Sequence, residues 1–387
     1  MPTAAGSGPR VLVVGNYAPD GQYSMRLYAR ELVANLRALG VDARLSEPPA
    51  IAARLSFSVR PLVKLAGYID KYLLYPALLW WQSRGFDWVH IGDHSNAPYR
   101  IFVAHRRVLI TCHDLFAVRT MLGLIPGQAF GFSGRLLQRW VLSNLRRTPD
   151  FVCVSEASAA DLRALVGERP HVTIISNALA ARFFAPEDAR ADAASLRRSG
   201  VDPDARWFLH VGGNQYYKNR PNVVRLFERL AAHSAFAEHR LVLAGKVPDA
   251  HLREAVEQSP LRERIDVLVE PDDRVVQALY RRAAVFLFPS LSEGFGWPIL
   301  EAQASGCPVA TTDAEPMRSV AGGAAILIDP AALDQAADRI VAAAGQFDAL
   351  REAGRANASA YRPDAIYPRY LPLYHLSIEG AAKDATQ

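Results

Sequence analysis

Residues 284–313 constrain the fold more than any other stretch of the sequence. They begin with an apolar run, Val285–Phe288, which is too short for a helix and is typical of a strand buried on both faces. A glycine-rich loop and a short helical segment follow, and a second apolar run, Val309–Thr312, comes next. Strand, loop, helix and strand in this order predict an α/β fold with a parallel sheet.

The loop between this strand and helix has the composition of an anion-binding turn. A helix that opens directly after a glycine-rich turn offers backbone N–H groups and the positive end of its dipole to an anion. The pattern therefore predicts a phosphate contact. The candidate residues are Gly294, Phe295, Gly296 and Trp297.

Two carboxylates frame the loop, Glu293 within it and Glu301 in the expected first turn of the helix. Because a carboxylate close to a phosphate would repel it, both are expected to accept hydrogen bonds from hydroxyl groups. One hydroxyl would belong to a sugar and the other to a ribose, which indicates a nucleotide-sugar site. Taken singly, Glu301 is also explained as an acid near a helix N-terminus, and Glu293 as a solvated loop residue.

The sequence PSLSEGFGWPILEAQASGCPV, residues 289–309, resembles the E-x7-E signature of retaining glycosyltransferase family 4, EGFGLPxLEAMAxGxPV. Trp297 stands where the family usually has Leu, and Gln303 where it often has Met; neither change removes a polar ligand. The resemblance implies the GT-B architecture, in which two Rossmann-like domains with parallel sheets face an inter-domain crevice. It also implies sugar transfer from a nucleoside diphosphate sugar with retention at the anomeric carbon, and without a metal or other cofactor.

A chain of 387 residues is too long for one ordinary core. With the resemblance, we expect an acceptor-side domain over 1–180, a nucleotide-sugar domain over 181–360, and a kinked helix that crosses back to the first domain, with a tail, over 361–387. Residues 183–204 are expected to form a linker with a short helix, and one alanine-rich helix is expected from beyond Asp329 to about Ala356.

Several absences in the sequence predict a cytoplasmic protein. No stretch of eighteen apolar residues occurs, and the first residues lack the apolar segment of a secretory signal. The three cysteines have no metal-ligand spacing and lie in or beside apolar runs, so we expect reduced core residues and no metal.

The basic residues are concentrated in the first half of the chain. Residues 1–180 contain 20 Lys and Arg against 12 Asp and Glu, whereas the remainder has 24 against 27. No nucleic-acid-binding motif is found, so we expect no nucleic-acid partner and favour an anionic membrane. Residues 59–84 interleave basic residues with leucines, tyrosines and Trp80-Trp81, which is typical of a segment lying on lipid at the inner face of the membrane. The alternative is a helix whose aromatic face packs on the core, because Pro76 interrupts the pattern.

Candidate residues in the first half follow predicted strands. The sequence TCHDL resembles the family's strand-end histidine motif, which implies that His113 contacts the transferred sugar. Asp93 and His94 end another strand and are candidates for the acceptor, since such residues point into the ligand crevice of these folds. Gly21 follows the first strand; in the family this loop faces the phosphates and the acceptor, but the glycine could equally make a turn.

In the second half, residues 212–219 resemble the family's glycine-plus-Arg/Lys phosphate clamp. The resemblance places Gly213, Asn214 and Lys218 at the donor, and Lys218 at the position of the clamp lysine. The usual arginine is absent; Asn214 or Tyr217 lies near its place, and Arg220 is an alternative. The family's base-binding backbone position corresponds to Val269.

These observations together predict a hexosyltransferase with His113 and Glu293 as its catalytic residues. The resemblance suggests GDP-mannose or a UDP-sugar as donor and a glycan or polyprenyl-linked acceptor, in cell-surface polysaccharide or glycolipid assembly. Two alternatives stay open. One is a nucleotide-sugar epimerase of the same fold, and the other is a catalytically silent nucleotide-sugar-binding subunit, since the clamp arginine is missing.

Overall fold

The computed structural model describes residues 8–55, 60–104, 107–125 and 127–375. Val59, at the start of the expected membrane segment, and residues 376–387 of the expected tail lie outside this range. The chain forms two compact units. Unit 1 comprises Met1–Ser176 together with Asp364–Gln387, and unit 2 comprises Asn177–Pro363. These divisions fall a few residues from the boundaries expected from the sequence.

The core of unit 1 is a six-stranded parallel sheet with the order β2-β1-β3-β4-β5-β6. The strands are β1 Val11–Val14, β2 Ala43–Ser46, β3 Trp88–Ile91, β4 Val108–Cys112, β5 Asp150–Cys153 and β6 His171–Ile174. Every residue of β1, β3 and β4 is buried, as expected of strands covered on both faces. The chain reverses direction across the sheet between β1 and β3, and ligands of such folds bind at the carboxyl ends of the strands at this switch point.

Helices cover both faces of this sheet. They are α1 Tyr23–Ala38, α2 Ala52–Leu55, α3 Arg60–Ile69, α4 Tyr75–Ser83, α5 Phe116–Met121, α6 Phe132–Leu145 and α7 Glu156–Val166. A π-helical turn, Asp70–Leu74, joins α3 to α4. Tyr28, Leu32 and Leu36 on one stripe of α1 are buried, as the helical spacing predicts.

Unit 2 repeats the plan with the strand order β12-β11-β10-β7-β8-β9, again all parallel. Its strands are β7 Trp207–Gly212, β8 Arg240–Gly245, β9 Ile265–Val269, β10 Val285–Phe288, β11 Val309–Thr312 and β12 Ile326–Ile328. The predicted strands at β10 and β11 are confirmed to the residue. The switch point of this sheet lies between β7 and β10, where the glycine loops of the sequence end their strands.

The helices of unit 2 agree with one expectation from the sequence and correct another. They are α8 Ala189–Arg198, α9 Arg220–Ala231, α10 Ala250–Gln258, α11 Asp273–Arg282, α12 Trp297–Ala304, α13 Met317–Ala321, α14 Leu333–Ala342 and α15 Phe347–Ser359. The short helix expected within residues 183–204 is α8, which packs on α11 through a largely buried Arg281–Asp192 ion pair of 3.0 Å. The alanine-rich helix is two helices, because a 3-10 turn containing Gly345, a poor helix former, separates α14 from α15.

The end of the described chain lies in unit 1. A short helix, α16 Pro363–Ile366, leads into the 3-10 helix Tyr367–Tyr374, where a longer kinked α-helix was expected. Pro368 and Pro372 limit the helical hydrogen bonds here. The Tyr370 hydroxyl lies 3.0 Å from that of Tyr28, and the Tyr374 hydroxyl 2.6 Å from His90 Nδ1. Within the described residues, none of the helices has the length and apolar character needed to cross a bilayer.

Candidate active site

The switch point of unit 2 holds a close ion pair between Lys218 and Glu293. Lys218 ends the 3-10 turn after β7, and Glu293 follows β10. The ammonium nitrogen lies 2.8 and 3.0 Å from the two carboxylate oxygens, and the side chains are only 15 % and 8 % exposed. Leu291 N–H donates to the Tyr217 carbonyl at 2.7 Å, which ties the two loops together. The residues expected to meet the diphosphate and the sugar are therefore direct neighbours.

The clamp loop after β7 is supported by Arg220. The Arg220 guanidinium donates to Asn214 Oδ1 at 2.6 Å and to the Lys246 carbonyl at 3.2 Å, and Asn214 Nδ2 donates to the Val247 carbonyl at 2.6 Å. Arg220 is buried, and burial lowers its pKa from the ordinary value. The structure therefore places Arg220 against Asn214 as its support, while a phosphate contact of this arginine stays an open alternative.

Gly245 was not singled out from the sequence, although it limits the shape of this loop. Its φ is 139°, and a Cβ atom at this position would lie 2.0 Å from the Gly212 carbonyl oxygen. A side chain would therefore displace the backbone that carries Gly213 and Asn214. The only signal for Gly245 in the sequence is its position at the end of a predicted strand.

Val269, the predicted position for the base contact, ends β9 on the far edge of the sheet and is half exposed.

The loop before α12 is held by aromatic packing. Gly296 has a φ of 106°, a conformation that favours glycine, and it directly precedes the helix. Phe295 is buried, and its ring packs edge-on against Trp297 at 5.8 Å and Tyr361 at 6.0 Å. Trp297 Nε1 donates to the Ala178 carbonyl at 3.3 Å. The rings of Phe295 and Trp297 thus fix the loop, and a ligand contact of Phe295 or Gly294 would come from the backbone.

Glu301 lies in the second turn of α12 rather than in the first, because the helix begins at Trp297. Its carboxylate accepts a hydrogen bond of 3.1 Å from the hydroxyl of Tyr280, which is fully buried on α11. Burial raises the pKa of Glu301, although the Tyr280 hydrogen bond and the charge of Arg182 act in the opposite direction. Sequence reasoning missed Tyr280, since a single tyrosine in an amphipathic helix is normally a core residue.

In unit 1, polar side chains meet at the switch point between β1 and β3. Asn16 Nδ2 donates to Asp93 Oδ2 at 2.6 Å, and His94 Nδ1 lies 3.1 Å from Asp93 Oδ1. All three side chains are buried. Burial alone would raise the pKa of Asp93, but the contact with His94 and the hydrogen bond from the Asn16 amide hold it well below the ordinary value. Asp93 is therefore a fixed buried anion, and Asn16 is a neighbour that the sequence did not identify.

His113 lies beside this cluster at the end of β4. Its Nε2 is 3.0 Å from the Gly92 carbonyl oxygen, so this nitrogen carries the proton and donates. The ring packs edge-on against Tyr28, with 4.5 Å between the ring centroids. Burial lowers the pKa of His113, which keeps the ring neutral at neutral pH and leaves the lone pair on Nδ1. The ring is thus suited to accept a hydrogen bond from a hydroxyl group.

Gly21 is exposed in the loop after β1. It ends the 3-10 turn Ala18–Asp20 with a φ of 70°, and its N–H donates to the Ala18 carbonyl at 3.2 Å. A turn role for Gly21 is therefore evident, while its phosphate contact stays a prediction. Over the described ranges, no three His, Cys, Asp or Glu side chains group so as to hold a metal ion.

Two units with parallel six-stranded sheets, each with polar loops at its switch point, have the architecture of GT-B glycosyltransferases. Two family descriptions match the chain: Glycosyltransferase Family 4 over residues 25–182 and Glycosyl transferases group 1 over residues 193–354. Together they span most of the sequence. The chain belongs to glycosyltransferase family 4.

Curated relatives are similar at low identity. A GDP-mannose:cellobiosyl-diphosphopolyprenol alpha-mannosyltransferase of Xanthomonas campestris is 26 % identical over 64 % of this chain and 64 % of its own. The matched part is therefore less than two thirds of the length of that relative. O-antigen chain mannosyltransferase B of Escherichia coli is 25 % identical over 76 % of this chain and 74 % of its own. The solved structure of sucrose-phosphate synthase from Thermosynechococcus elongatus has the same fold, with a TM-score of 0.71 at 20 % identity, covering 95 % of this chain and 98 % of that one.

Proposed function

We propose that this glycosyltransferase moves a mannosyl group from GDP-mannose to a polyprenyl-linked glycan, with retention at the anomeric carbon and without a metal. The observation that carries the proposal is the Lys218–Glu293 pair at the switch point of unit 2. The mannosyltransferase names of two relatives support the sugar, and the diphosphopolyprenol substrate in the name of one supports the acceptor. Such a reaction belongs to cell-surface polysaccharide or glycolipid assembly.

In this proposal, unit 2 binds the donor through charge and hydroxyl recognition. The Lys218 ammonium and the N-terminal end of α12 offset the charge of the diphosphate, including the charge that develops as it leaves. Because an ammonium group has three N–H donors, its pairing with Glu293 leaves one donor for a phosphate oxygen. Glu293 accepts hydrogen bonds from sugar hydroxyls, and Glu301, oriented by Tyr280, accepts them from the ribose.

The unit 1 residues act on the transferred sugar and the acceptor. The lone pair on His113 Nδ1 accepts a hydrogen bond from a sugar hydroxyl, and the Gly92 carbonyl together with Tyr28 holds the imidazole ring in place. Asp93 and His94 are candidates for the acceptor because a buried, hydrogen-bonded carboxylate is fixed in position. No covalent nucleophile is assigned.

We expect purified protein to mannosylate a polyprenyl-diphosphate-linked glycan when it is supplied with GDP-mannose, and to continue after a chelator is added. The reason is that the diphosphate charge is offset by Lys218 and by the helix. Mass spectrometry of products from a panel of nucleotide sugars checks the donor, and proton NMR of the new linkage checks retention. Donor turnover without an acceptor would instead identify an epimerase, and donor binding without turnover a silent subunit.

The proposal includes peripheral contact with an anionic membrane through α4 and the turn before it. Side chains at helical spacing form an exposed stripe, here named the Trp81 stripe, of Leu73, Ala77, Trp80, Trp81 and Arg84. Tyr75 and Leu79 point into the core from the opposite side of the same helix. The Arg84 guanidinium stacks on the Trp80 ring at 3.5 Å. One face of α4 therefore packs on the core, as the alternative from the sequence expects. The other face is the apolar surface with a basic residue that a contact with lipid requires.

Lys71 takes no part in this surface, contrary to the expectation from the sequence. Its ammonium group lies 2.8 Å from Asp20 Oδ2 and within 6 Å of the rings of Tyr17, Tyr68 and Tyr72. Lys71 is thus an internal link between the loop after β1 and the π-helical turn. Within residues 63–84, the exposed basic residues are Lys64 and Arg84, and of these Arg84 belongs to the Trp81 stripe.

We expect Trp80→Ser/Trp81→Ser to sediment with phosphatidylcholine vesicles containing phosphatidylglycerol roughly tenfold less than the parent, because two large apolar groups no longer enter the interface. Its fold should persist, since Trp80 and Trp81 are exposed. Binding by the parent should weaken with salt. Val267→Ser, an exposed apolar position in unit 2, is the matched control. Equal sedimentation of the parent with neutral and anionic vesicles would contradict the electrostatic part of the proposal.

A further inference from the structure

Unit 1 carries a second exposed apolar surface, which no pattern in the sequence indicated. It spans the loop after α5 and the first turns of α6. Phe132 is 79 % exposed, the largest value for any big apolar side chain among the described residues, and Leu136 is 60 % exposed. The members of this Phe132 surface are Leu122, Leu124, Phe130, Phe132 and Leu136. Patches of this kind on an otherwise soluble unit mark an interaction site.

One aromatic contact links the helix of the Phe132 surface to the turn that begins the Trp81 stripe. On α6, Leu136 lies one turn before Trp140, so both side chains are on the same face of the helix. The Trp140 ring packs against Tyr72 with 5.3 Å between the centroids, and Tyr72 directly precedes the exposed Leu73. Two segments far apart in the sequence are therefore linked through this ring contact, and the link favours a common partner.

The charge around the Phe132 surface identifies that partner as anionic. Residues 115–149 contain five arginines and no Asp or Glu. Arg135 and Arg139 are exposed on α6, and neither forms an ion pair with the part of the chain that the structure describes. A second copy of the chain fits this surface poorly, because a symmetric interface would bring the same arginines together. Anionic lipid headgroups would neutralise them, with the apolar side chains below the headgroups.

Unit 2 provides an internal comparison. Its exposed large apolar side chains, among the described residues, are Tyr216, Val247, Val267, Val269 and Leu291. They are fewer than in unit 1, include no Phe or Trp, and lie on separate loops and an edge strand. The apolar region of unit 1 is therefore a local property of that unit rather than a general feature of the chain.

We propose that the Phe132 surface is a second membrane-inserting element, which enters an anionic bilayer together with the Trp81 stripe. This inference rests on the membrane contact included in the proposed function. Phe132 and Leu136 would lie among the upper acyl chains, and Arg135 and Arg139 at the phosphates. Two apolar contacts resist rotation of unit 1 on the bilayer better than one, so the element also fixes the orientation of the unit.

A single-site fluorescent label tests insertion directly. Cys112, Cys153 and Cys307 are all buried, so a thiol-reactive, polarity-sensitive dye will label Phe132→Cys selectively. We expect its emission to shift to the blue and to intensify when vesicles of phosphatidylcholine and phosphatidylglycerol are added, and to change little with phosphatidylcholine alone. The same dye on Val267→Cys should not respond. A silent label at position 132 on protein that sediments with the vesicles would overturn the inference.

Substitution separates this inference from the rest of the proposal. Phe132→Ser/Leu136→Ser should bind anionic vesicles roughly tenfold more weakly than the parent, with an unchanged thermal midpoint, because both side chains are exposed. Arg135→Gln/Arg139→Gln should reduce binding at low salt, whereas Arg190→Gln/Arg225→Gln in unit 2 should not. Loss of binding only in Trp80→Ser/Trp81→Ser would reject the Phe132 surface and keep the proposed function.

Two further outcomes would also reject the inference. If the parent binds no vesicles, the whole membrane contact fails, although transfer of mannose remains measurable without it. If the parent self-associates in the absence of lipid and Phe132→Ser abolishes this, the surface is a dimer interface. Analytical ultracentrifugation across a range of protein concentrations distinguishes this second case.

Discussion

Replacement of Lys218 by Ala is expected to lower kcat/KM for the intact donor by roughly 100-fold to 1000-fold, which is typical for removal of one preorganised charge contact to a transition state. The ammonium group is the cation that touches Glu293 at the switch point of unit 2. Its loss would remove the charge that offsets the diphosphate. It would also leave the Glu293 carboxylate, only 8 % exposed, without its partner.

The second effect should appear as a modest loss of stability, about 1–3 kcal/mol, because one hydrogen-bonded partner of a largely buried group is removed. Glu293→Gln and the double variant Lys218→Ala/Glu293→Gln complete a double-mutant cycle. If Lys218 serves only to position Glu293, the double variant will be no worse than Glu293→Gln alone. If Lys218 also contacts the diphosphate, the effects on GDP affinity will follow Lys218 and those on turnover will follow Glu293.

Arg225→Gln is the matched control for this experiment, since it removes an exposed positive charge from α9. Isothermal calorimetry with GDP at moderate salt and initial rates with GDP-mannose are the two measurements. A Lys218→Ala variant that binds GDP and turns over donor like the parent would remove Lys218 from the site. Restoration of part of the rate by Lys218→Arg would show that the charge, rather than the shape of the side chain, is what matters.

Acidification is expected to destabilise both units well before the carboxylates are protonated. Burial lowers the pKa of His90 in unit 1 and of His210 in unit 2 to about 3, from an ordinary value of 6.5. A histidine with a lowered folded-state pKa contributes stability above its unfolded pKa, and this contribution is lost as the pH falls toward the folded pKa. At about pH 5, each histidine should cost about 2 kcal/mol relative to neutral pH.

This loss is large compared with a typical stability of about 5–15 kcal/mol. Urea denaturation at a series of pH values measures it. His94 and Glu301, whose pKa values are raised, act in the opposite direction, so the histidine contribution is best read as a difference between variants. In His210→Asn the amide can still donate to the Leu287 carbonyl, as Nδ1 does now at 2.9 Å. Its stability should fall less steeply with acid than that of the parent; an equal slope would contradict the prediction.

The sequence predicted the elements whose signals are local. β10 and β11 are short apolar runs between prolines and glycines, so their ends were readable to the residue. The proximity of Lys218 to Glu293 also follows, because parallel strands on either side of a switch point end at the same edge. The polar segment 183–204 predicted a short helix, which is α8, but only the contact with α11 shows that one face of this helix is buried.

Features that depend on contacts between residues far apart in the sequence could not be predicted. Tyr280 becomes informative only through its hydrogen bond to Glu301, and Gly245 only through its distance from Gly212. Arg220 was considered as a phosphate ligand, but its burial against Asn214 could not be known from spacing. The exposure of Phe132 was equally hidden, since a phenylalanine at the start of an amphipathic helix normally packs inward.

The return of residues 367–374 to unit 1 has a consequence for synthesis on the ribosome. Tyr370 and Tyr374 complete a buried hydrogen-bond network with Tyr28, Thr111 and His90, all of which are translated much earlier. Unit 2 is continuous in sequence and can acquire its full structure as soon as it has emerged. Synthesis of unit 1 begins before that of unit 2 and ends after it. During that interval its network lacks two hydroxyl partners, and its apolar region is the surface that a nascent chain would offer to chaperones or to lipid.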